Sequence, residues 1–453
     1  MFSRAQQPLL ALLFRLHLYV GLLVGPFIFV AALSGLIYAL TPQLENQLYA
    51  RQLFTDSRGP ALPLAEQIRV AQAQVGDTAT LSAVRPASGP GTTTRVMFRT
   101  ADSAESQSRA LFVDPVSGEI RGDLLVYGTS GVLPLRTWLD QLHRSLLLGE
   151  PGRLYSELAA SWLWVAALGG LLLWLVKRRR TAAAAGNSRL RHLHATLGLW
   201  LLVGVLFFSA TGLTWSRLAG DNIGVARAAL GMGTPSVSTA LTGVGDAPAG
   251  EHAHHAGMAM PVEPAAARLD DPVLFDRVLA VAREAGIDAD KLEIAPASGP
   301  DRAWTVTEID RSWPTQVDAV AVDPRTLRVT DRIDFATFPL AAKLTRWGID
   351  AHMGSLFGLA NQLLLAATAL GLATLVAIGY LMWWRRPRTA RRAGVLQAFG
   401  ALSLRARGIV LATALLFGIC LPVLGVSLLV FLVVEALRDG LARMREARLR
   451  QPG

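Results

Sequence analysis

The stretch Trp138-Leu139-Asp140-Gln141-Leu142-His143-Arg144-Ser145-Leu146-Leu147-Leu148-Gly149 decides how this chain is read, because its frame is written twice. The second copy is Trp347-Gly348-Ile349-Asp350-Ala351-His352-Met353-Gly354-Ser355-Leu356-Phe357-Gly358. In each, a tryptophan stands five residues before the histidine and a glycine six after it. Outward from there, Asp114 lies 29 residues before His143 and Asp323 lies 29 before His352. Gly170 and Gly379 follow their histidines by 27, and Trp174 and Trp383 by 31. A second frame repeats as well: His17, Gly21 and Gly35 keep the offsets 0, +4 and +18 of His194, Gly198 and Gly212. Matched spacings in series mark an internal duplication, with one histidine opening each repeat and one near its end.

The 453 residues are 52% hydrophobic and 17% charged, a balance that places much of the chain in lipid. A spanning helix needs about 20 apolar residues. Five runs qualify: 18–40, 154–176, 197–217, 356–384 and 409–436. The first reads as a retained span, since no small-x-small cleavage site follows it before Gln43 and Glu45. Lys177 to Arg191 holds six Lys or Arg and no acid, Arg385 to Arg407 holds seven and no acid, and Arg4 and Arg15 precede the first run. The positive-inside rule puts all three in the cytoplasm. The net charge of +10 is therefore mostly topology, and no nucleic acid is expected as a partner.

Residues 43–142 and 218–351 then lie outside. Strand patterns occur at Arg95–Thr100, Ala110–Val113, Trp304–Glu308 and Val317–Val322, and helix patterns at Leu64–Val75 and Pro272–Ala285, the latter with Asp271 as its cap. Asp114-Pro115-Val116-Ser117-Gly118-Glu119 reads as a hairpin turn, and Asp323-Pro324-Arg325-Thr326 as its degenerate copy. The expected fold is a membrane protein, mainly an α-helical bundle of about five spans, with two small α+β modules outside. Its segments are 1–42 (N-terminus and first span), 43–142 (first module), 143–180 (second span), 181–217 (cytoplasmic loop and third span), 218–267 (linker), 268–351 (second module), 352–386 (fourth span) and 387–453 (loop, fifth span and basic tail). The fifth span is expected as one helix kinked at Pro422. Five crossings would put Arg438, Arg443, Arg445, Arg448 and Arg450 outside, against the charge rule.

Cys420 is the single cysteine, which excludes disulfides, cysteine-held iron–sulfur clusters and covalent C-x-x-C-H haem. Haem in such a chain is noncovalent haem b. Four of the eight histidines occupy repeat-related places: His17 and His194 near the cytoplasmic face, His143 and His352 at the outer face. Ionisable groups at membrane depth are expensive and mark functional sites, and neutral imidazole is a standard haem ligand. His17 and His143 stand on the order of 30 Å apart across the bilayer and cannot share an iron. The available pairs are His17 with His194 and His143 with His352, one haem near each leaflet. His192, two residues from His194, is an alternative ligand. Gly21, Gly25, Gly35, Gly198, Gly204 and Gly212 suit either the close approach of a flat macrocycle or ordinary helix packing.

The pattern His17-x-x-x-Gly21 with Ser34-Gly35-Leu36, the turn Phe112-Val113-Asp114-Pro115-x-Ser117-Gly118-Glu119, the later His143 and their second copies resemble the PepSY-associated transmembrane proteins. The resemblance extends over nearly the whole chain, to Leu421-Pro422-Val423-Leu424-Gly425-Val426-Ser427-Leu428. It implies a bacterial inner-membrane protein with two periplasmic PepSY modules, of a family linked to iron acquisition that includes haem-containing ferric-siderophore reductases. The second turn departs from the pattern, with Leu327 and Arg328 where Gly and Glu would stand.

The linker holds a further cluster, Glu251-His252-Ala253-His254-His255-Ala256-Gly257-Met258-Ala259-Met260. His252, His254, His255, Met258 and Met260 combine donors that suit copper, imidazole alone suits iron, zinc or nickel, and the stretch also fits a plain disordered loop. No P-loop or dinucleotide fingerprint occurs, so electrons would come from a membrane quinol or a partner reductase. The expected function is transmembrane electron transfer to a periplasmic ferric-siderophore. The rivals are a non-redox membrane scaffold whose modules bind a partner, and a copper-handling protein.

Overall fold

Helices and strands alternate in two rounds along the chain. The computed structural model describes residues 7–104, 106–128, 131–178, 188–241, 271–386 and 394–449. The first round runs α1 (Gln7–Tyr19), a π-helical turn (Val20–Val24), α2 (Gly25–Ala39), α3 (Thr41–Leu48), α4 (Ala50–Leu53), α5 (Leu64–Val75), β1 (Thr80–Arg85), β2 (Thr94–Arg99), β3 (Gln107–Val113), β4 (Ile120–Tyr127), α6 (Pro134–Ser145) and α7 (Gly149–Arg178). The second runs α8 (Ser188–Trp200), α9 (Leu202–Thr214), α10 (Leu218–Ala229), α11 (Pro272–Glu284), β5 (Leu292–Ala295), β6 (Trp304–Glu308), β7 (Ala319–Asp323), β8 (Arg328–Ile333), α12 (Leu340–His352) and α13 (Leu359–Trp384). Three helices follow: α14 (Val395–Gly400), α15 (Leu404–Cys420) and α16 (Pro422–Leu449). The chain divides into a helical unit (Met1–Ile37, Gln141–Val225, Leu363–Gly453) and a sheet-bearing unit (Tyr38–Asp140, Ala226–Gln362).

In the helical unit, Gln7–Ala39, Gly149–Val176 and Leu359–Trp384 are long and apolar enough to cross a membrane. The pair Arg189–Trp200 and Leu202–Thr214 makes a fourth span if it is counted as one, bent by 59°. The irregularity in the first span has a local cause. Pro26 has no N–H for the Leu22 carbonyl four residues earlier, and the Tyr380 hydroxyl of α13 donates to that carbonyl instead, at 2.5 Å. Gly204 and Gly371 let α9 and α13 close up: a Cβ on Gly204 would sit 2.7 Å from Thr368, and one on Gly371 2.8 Å from Leu201.

The fifth apolar run is not the single kinked span expected. It breaks at Leu421, because Pro422 cannot continue a helix by donating to the turn before it. Here α15 and α16 double back on each other, with Gly418 and Gly425 almost in backbone contact. The Asn222 amide of α10 donates to the Cys420 carbonyl at 3.1 Å, occupying one of the groups freed at the break. At the other end Glu435 of α16 accepts from the Val395 amide at 2.5 Å, and Val395 and Leu402 pack with Leu12 of α1. The described part of α16 thus runs back toward α1 and α14.

In the sheet-bearing unit the two α+β halves join edge to edge. All eight strands form one antiparallel sheet in the order β4-β3-β2-β1-β5-β6-β7-β8. The seam pairs Val84 with Ile294 and is braced by Arg85 and Glu293 at 2.6 Å. α5 and α11 share one core with the sheet, built from Ile68, Phe98, Leu111, Phe275, Val278 and Trp304. The second half caps the first: the Asp276 carboxylate of α11 accepts from the Leu64 and Ala65 amides of α5 at 2.8 and 2.9 Å. A four-stranded half with one helix buries little on its own, and joining halves removes two edges.

Both Asp-Pro turns sit where the sequence puts them, between β3 and β4 and between β7 and β8. Buried Asp114 accepts from Thr55 and Ser57 hydroxyls, both at 2.5 Å, and from the Val116 and Ser117 amides. Burial alone would raise its carboxyl; those four donors hold it well below the usual range instead. Gly118 takes φ +74°, and Leu327, in its place, is forced to +54°. The motif is a structural staple.

Candidate functional site

His143 and His352 precede the second and fourth spans, as the sequence reading placed them, and lie at or next to the ends of short helices, α6 and α12. The glycine six residues on explains the repeated spacing: Gly149 (φ +63°) and Gly358 (φ +59°) make the left-handed turn into α7 and α13.

His17 and His194 come together in the helical unit, their ring centroids 6.2 Å apart and their planes at 84°. His192 is exposed, whereas His194 is half-buried, so the structure pairs His194 with His17. The repeated glycines of α7 and α13 lie against these rings. A Cβ on Gly170 would stand 3.0 Å from His17 Cε1, and one on Gly379 3.7 Å from His194 Cε1. His17 Nδ1 bonds the Ala166 carbonyl at 2.9 Å. A carbonyl only accepts, so Nδ1 carries the proton and a neutral ring keeps its lone pair on Nε2. Buried His194 Nδ1 has no partner of good geometry, although the Leu375 carbonyl faces that ring.

These residues fit a haem. Two imidazoles sharing one iron through bonds of about 2 Å would hold their ring centres about 6 Å apart, the spacing seen here. The cradle glycines leave the rings the space a side chain would fill, and a half-buried imidazole with an unused nitrogen is a donor set of the right chemistry.

His143 Nδ1 meets the Ser34 hydroxyl at 3.1 Å, and the same hydroxyl reaches back to the Val30 carbonyl at 2.7 Å. Gly35 faces this ring, its missing Cβ 3.2 Å from His143 Cε1, and the Tyr155 hydroxyl holds the His143 carbonyl at 2.5 Å. His352 belongs to the sheet-bearing unit, so neither unit by itself contains the second expected pair. Gly212, matched to Gly35, faces Ala160 instead, and Gly25 faces Tyr380; these are packing glycines. His252, His254, His255, Met258 and Met260 lie outside the described residues. Among the described residues no group of three or more His, Cys, Asp or Glu side chains is arranged to hold a metal ion.

Sequence reasoning missed the charged cluster of the sheet-bearing unit. Asp350, two residues before His352, is buried and takes both Arg311, at 3.0 Å, and Arg346, at 2.7 Å. Glu45 pairs with Arg136 at 2.5 Å; burial raises its carboxyl and Arg136 opposes the rise. Arg95, lying over the Phe112 ring, is pulled down to about 9 by burial and then by Arg85. Also missed were Ser34 and Ala166. The available signals were a hydroxyl 17 residues after His17 and again after His194 (Ser34, Thr211), and carbonyls four residues before each cradle glycine.

No curated protein matches the chain. The family model for the PepSY-associated TM region matches residues 14–386, both repeats and all four histidines, and stops before α14. With most of its length so matched and with three helices fit to cross a bilayer, the chain is a membrane protein that belongs to the PepSY-associated TM family.

Proposed function

We propose that the chain is an inner-membrane b-type haem protein that carries electrons across the bilayer to a periplasmic ferric chelate, with ferric-siderophores as the substrate class. The observation supporting this most directly is the His17–His194 pair, set at the spacing of two axial ligands against two repeated glycines. Haem held there would supply one-electron chemistry. The chain's part is to bind and orient. Ala166 fixes the His17 tautomer, which keeps the lone pair on Nε2, while the apolar core that Leu16, Ala166 and Leu375 pack against would keep water from the site. His143, oriented by Ser34, would serve a second haem near the outer face. Electrons would enter from a quinol or a partner reductase on the cytoplasmic side. Iron(III) held by hard oxygen donors becomes a poorer guest once reduced, so delivery of one electron releases it.

The test is an oxidised-minus-reduced visible spectrum of the full chain purified from haem-replete cells. A b-type spectrum is expected, and a colourless protein would remove the redox reading. One feature favours a second reading, a scaffold for a periplasmic partner: the eight-stranded sheet ends in two edge strands, β4 and β8. A colourless protein that captures a partner through the sheet would select it.

A further inference from the structure

We infer, on the haem reading above, that the inner pair is unequal: His17 is the fixed ligand and His194 the exchangeable one, whose place a small neutral donor such as carbon monoxide or imidazole can take. The duplication makes the two sides comparable atom by atom. Ala166 stands 23 residues after His143, and Leu375 stands 23 after His352. Each offers its carbonyl to the histidine of the preceding span. On the first side the bond forms, from His17 Nδ1 to Ala166 at 2.9 Å. On the second the Leu375 carbonyl faces the ring, but the contact falls short of hydrogen-bond geometry and buried His194 Nδ1 has no well-aligned acceptor.

The cradles differ in the same sense. Gly170 lies so close to His17 that a Cβ would sit 3.0 Å from Cε1, 3.5 Å from Nδ1 and 3.9 Å from Nε2. At Gly379 the corresponding approach to His194 is 3.7 Å, an ordinary contact, and Cε1 is the one ring atom within 4 Å. His17 is therefore wedged between a carbonyl and a glycine, whereas Gly379 leaves its side of the His194 ring at ordinary contact distance. The backbones agree. The first span passes its irregularity as one π-helical turn, which keeps it continuous, while the third breaks at Leu201 and bends by 59° seven residues after His194.

A ligand that lacks its hydrogen-bonding acceptor is the weaker donor and the one more easily displaced; loss of such partners costs metal sites about 10–100-fold in affinity. The asymmetry gives the pair a side on which coordination opens.

The experiment uses the full-length, haem-loaded protein in detergent, reduced with dithionite, with carbon monoxide as the probe and haem content as a separate readout. Wild type should take up carbon monoxide. His194→Ala should keep a substantial share of its inner haem, become five-coordinate and bind the probe about 10-fold more readily, while His17→Ala should retain less than about a tenth of that haem. Because truncation could unfold either variant, His194→Gly and His17→Gly are also titrated with imidazole. Imidazole should restore the six-coordinate spectrum in the first and not in the second. Equal haem loss in both alanine variants, equal rescue in both glycine variants, or the reverse order would overturn the inference while leaving the haem reading in place. A wild-type protein that binds no haem would instead overturn the haem reading itself.

Discussion

Gly170→Ala should dislodge His17. The added Cβ would lie 3.0 Å from Cε1, against the roughly 3.5–4.0 Å at which carbon atoms rest. The ring must retreat by about half an ångström or more. His17 Nδ1 holds the Ala166 carbonyl at 2.9 Å, and a retreat of that size takes the bond past its useful range. Losing it costs about 0.5–1.5 kcal/mol, and an off-rotamer imidazole costs about as much again. Together they are worth about 1–3 kcal/mol, or about 5–150-fold in haem retention. The measurement is haem per chain after challenge with excess apomyoglobin, with thermal unfolding recorded alongside to show that the helices still pack. Gly379→Ala is the matched control: its Cβ would lie 3.7 Å from His194 and should change little. If the two variants lose haem to the same extent, the cradle at Gly170 does not position His17 and the reasoning fails.

Asp114→Ala should cost at least about 3 kcal/mol, since a buried, four-fold hydrogen-bonded carboxylate disappears. Because the folded carboxyl titrates below its unfolded value near 4, the wild-type advantage should be complete above about pH 4 and drain as pH falls below it; a pH-independent difference in melting would contradict this. Asp350→Asn, which strips Arg311 and Arg346 of their buried partner, should destabilise by about 3–5 kcal/mol in thermal melts. Tyr380→Phe removes the donor to the carbonyl freed by Pro26 and should cost only about 0.6–1.7 kcal/mol; a larger loss would mean that the π-helical turn depends on that hydroxyl. On the functional side, His143→Ala should abolish reduction of an external ferric chelate in membrane vesicles while the inner haem stays reducible by dithionite, and unchanged chelate reduction would dismiss an outer site at His143.

The parts of the fold that share a spacing were legible, because matched spacings turn one ambiguous motif into two aligned observations. Leu64–Val75 was read to the residue from its apolar period, and Asp271 caps α11 as its placement before Pro272 predicts, accepting from Val273 at 3.0 Å. The pairing of His17 with His194 followed from pseudo-symmetry and geometry alone. What stayed hidden depends on contacts distant in sequence. Nothing in the β1 or β5 pattern says that the two will meet, since each is as well suited to an edge as to a seam. The hairpin of α15 and α16 was obscured because length arithmetic on the run 409–436 ignored residues 404–408 and 437–449, which extend both arms. The Ser34 partnership with His143 was invisible because a hydroxyl in an apolar helix ordinarily bonds back to its own turn, which Ser34 also does.

The seam between β1 and β5 sets a schedule for biogenesis. Val84 must wait for Ile294, some 210 residues later in synthesis, before its strand has a neighbour on that side. At about 5–20 residues per second, that is roughly 10–40 s during which a finished half-sheet stands with an open edge and half of its core. In that interval two more helices, α7 and the α8–α9 pair, have to enter the bilayer. The first half also lacks the cap on α5, which Asp276 delivers only with the second. A nascent chain stalled after α10 would therefore present an unpaired β1 and an uncapped α5 together, a template for misassociation. Anything that covers that edge until Ile294 arrives would raise the yield of completed sheets.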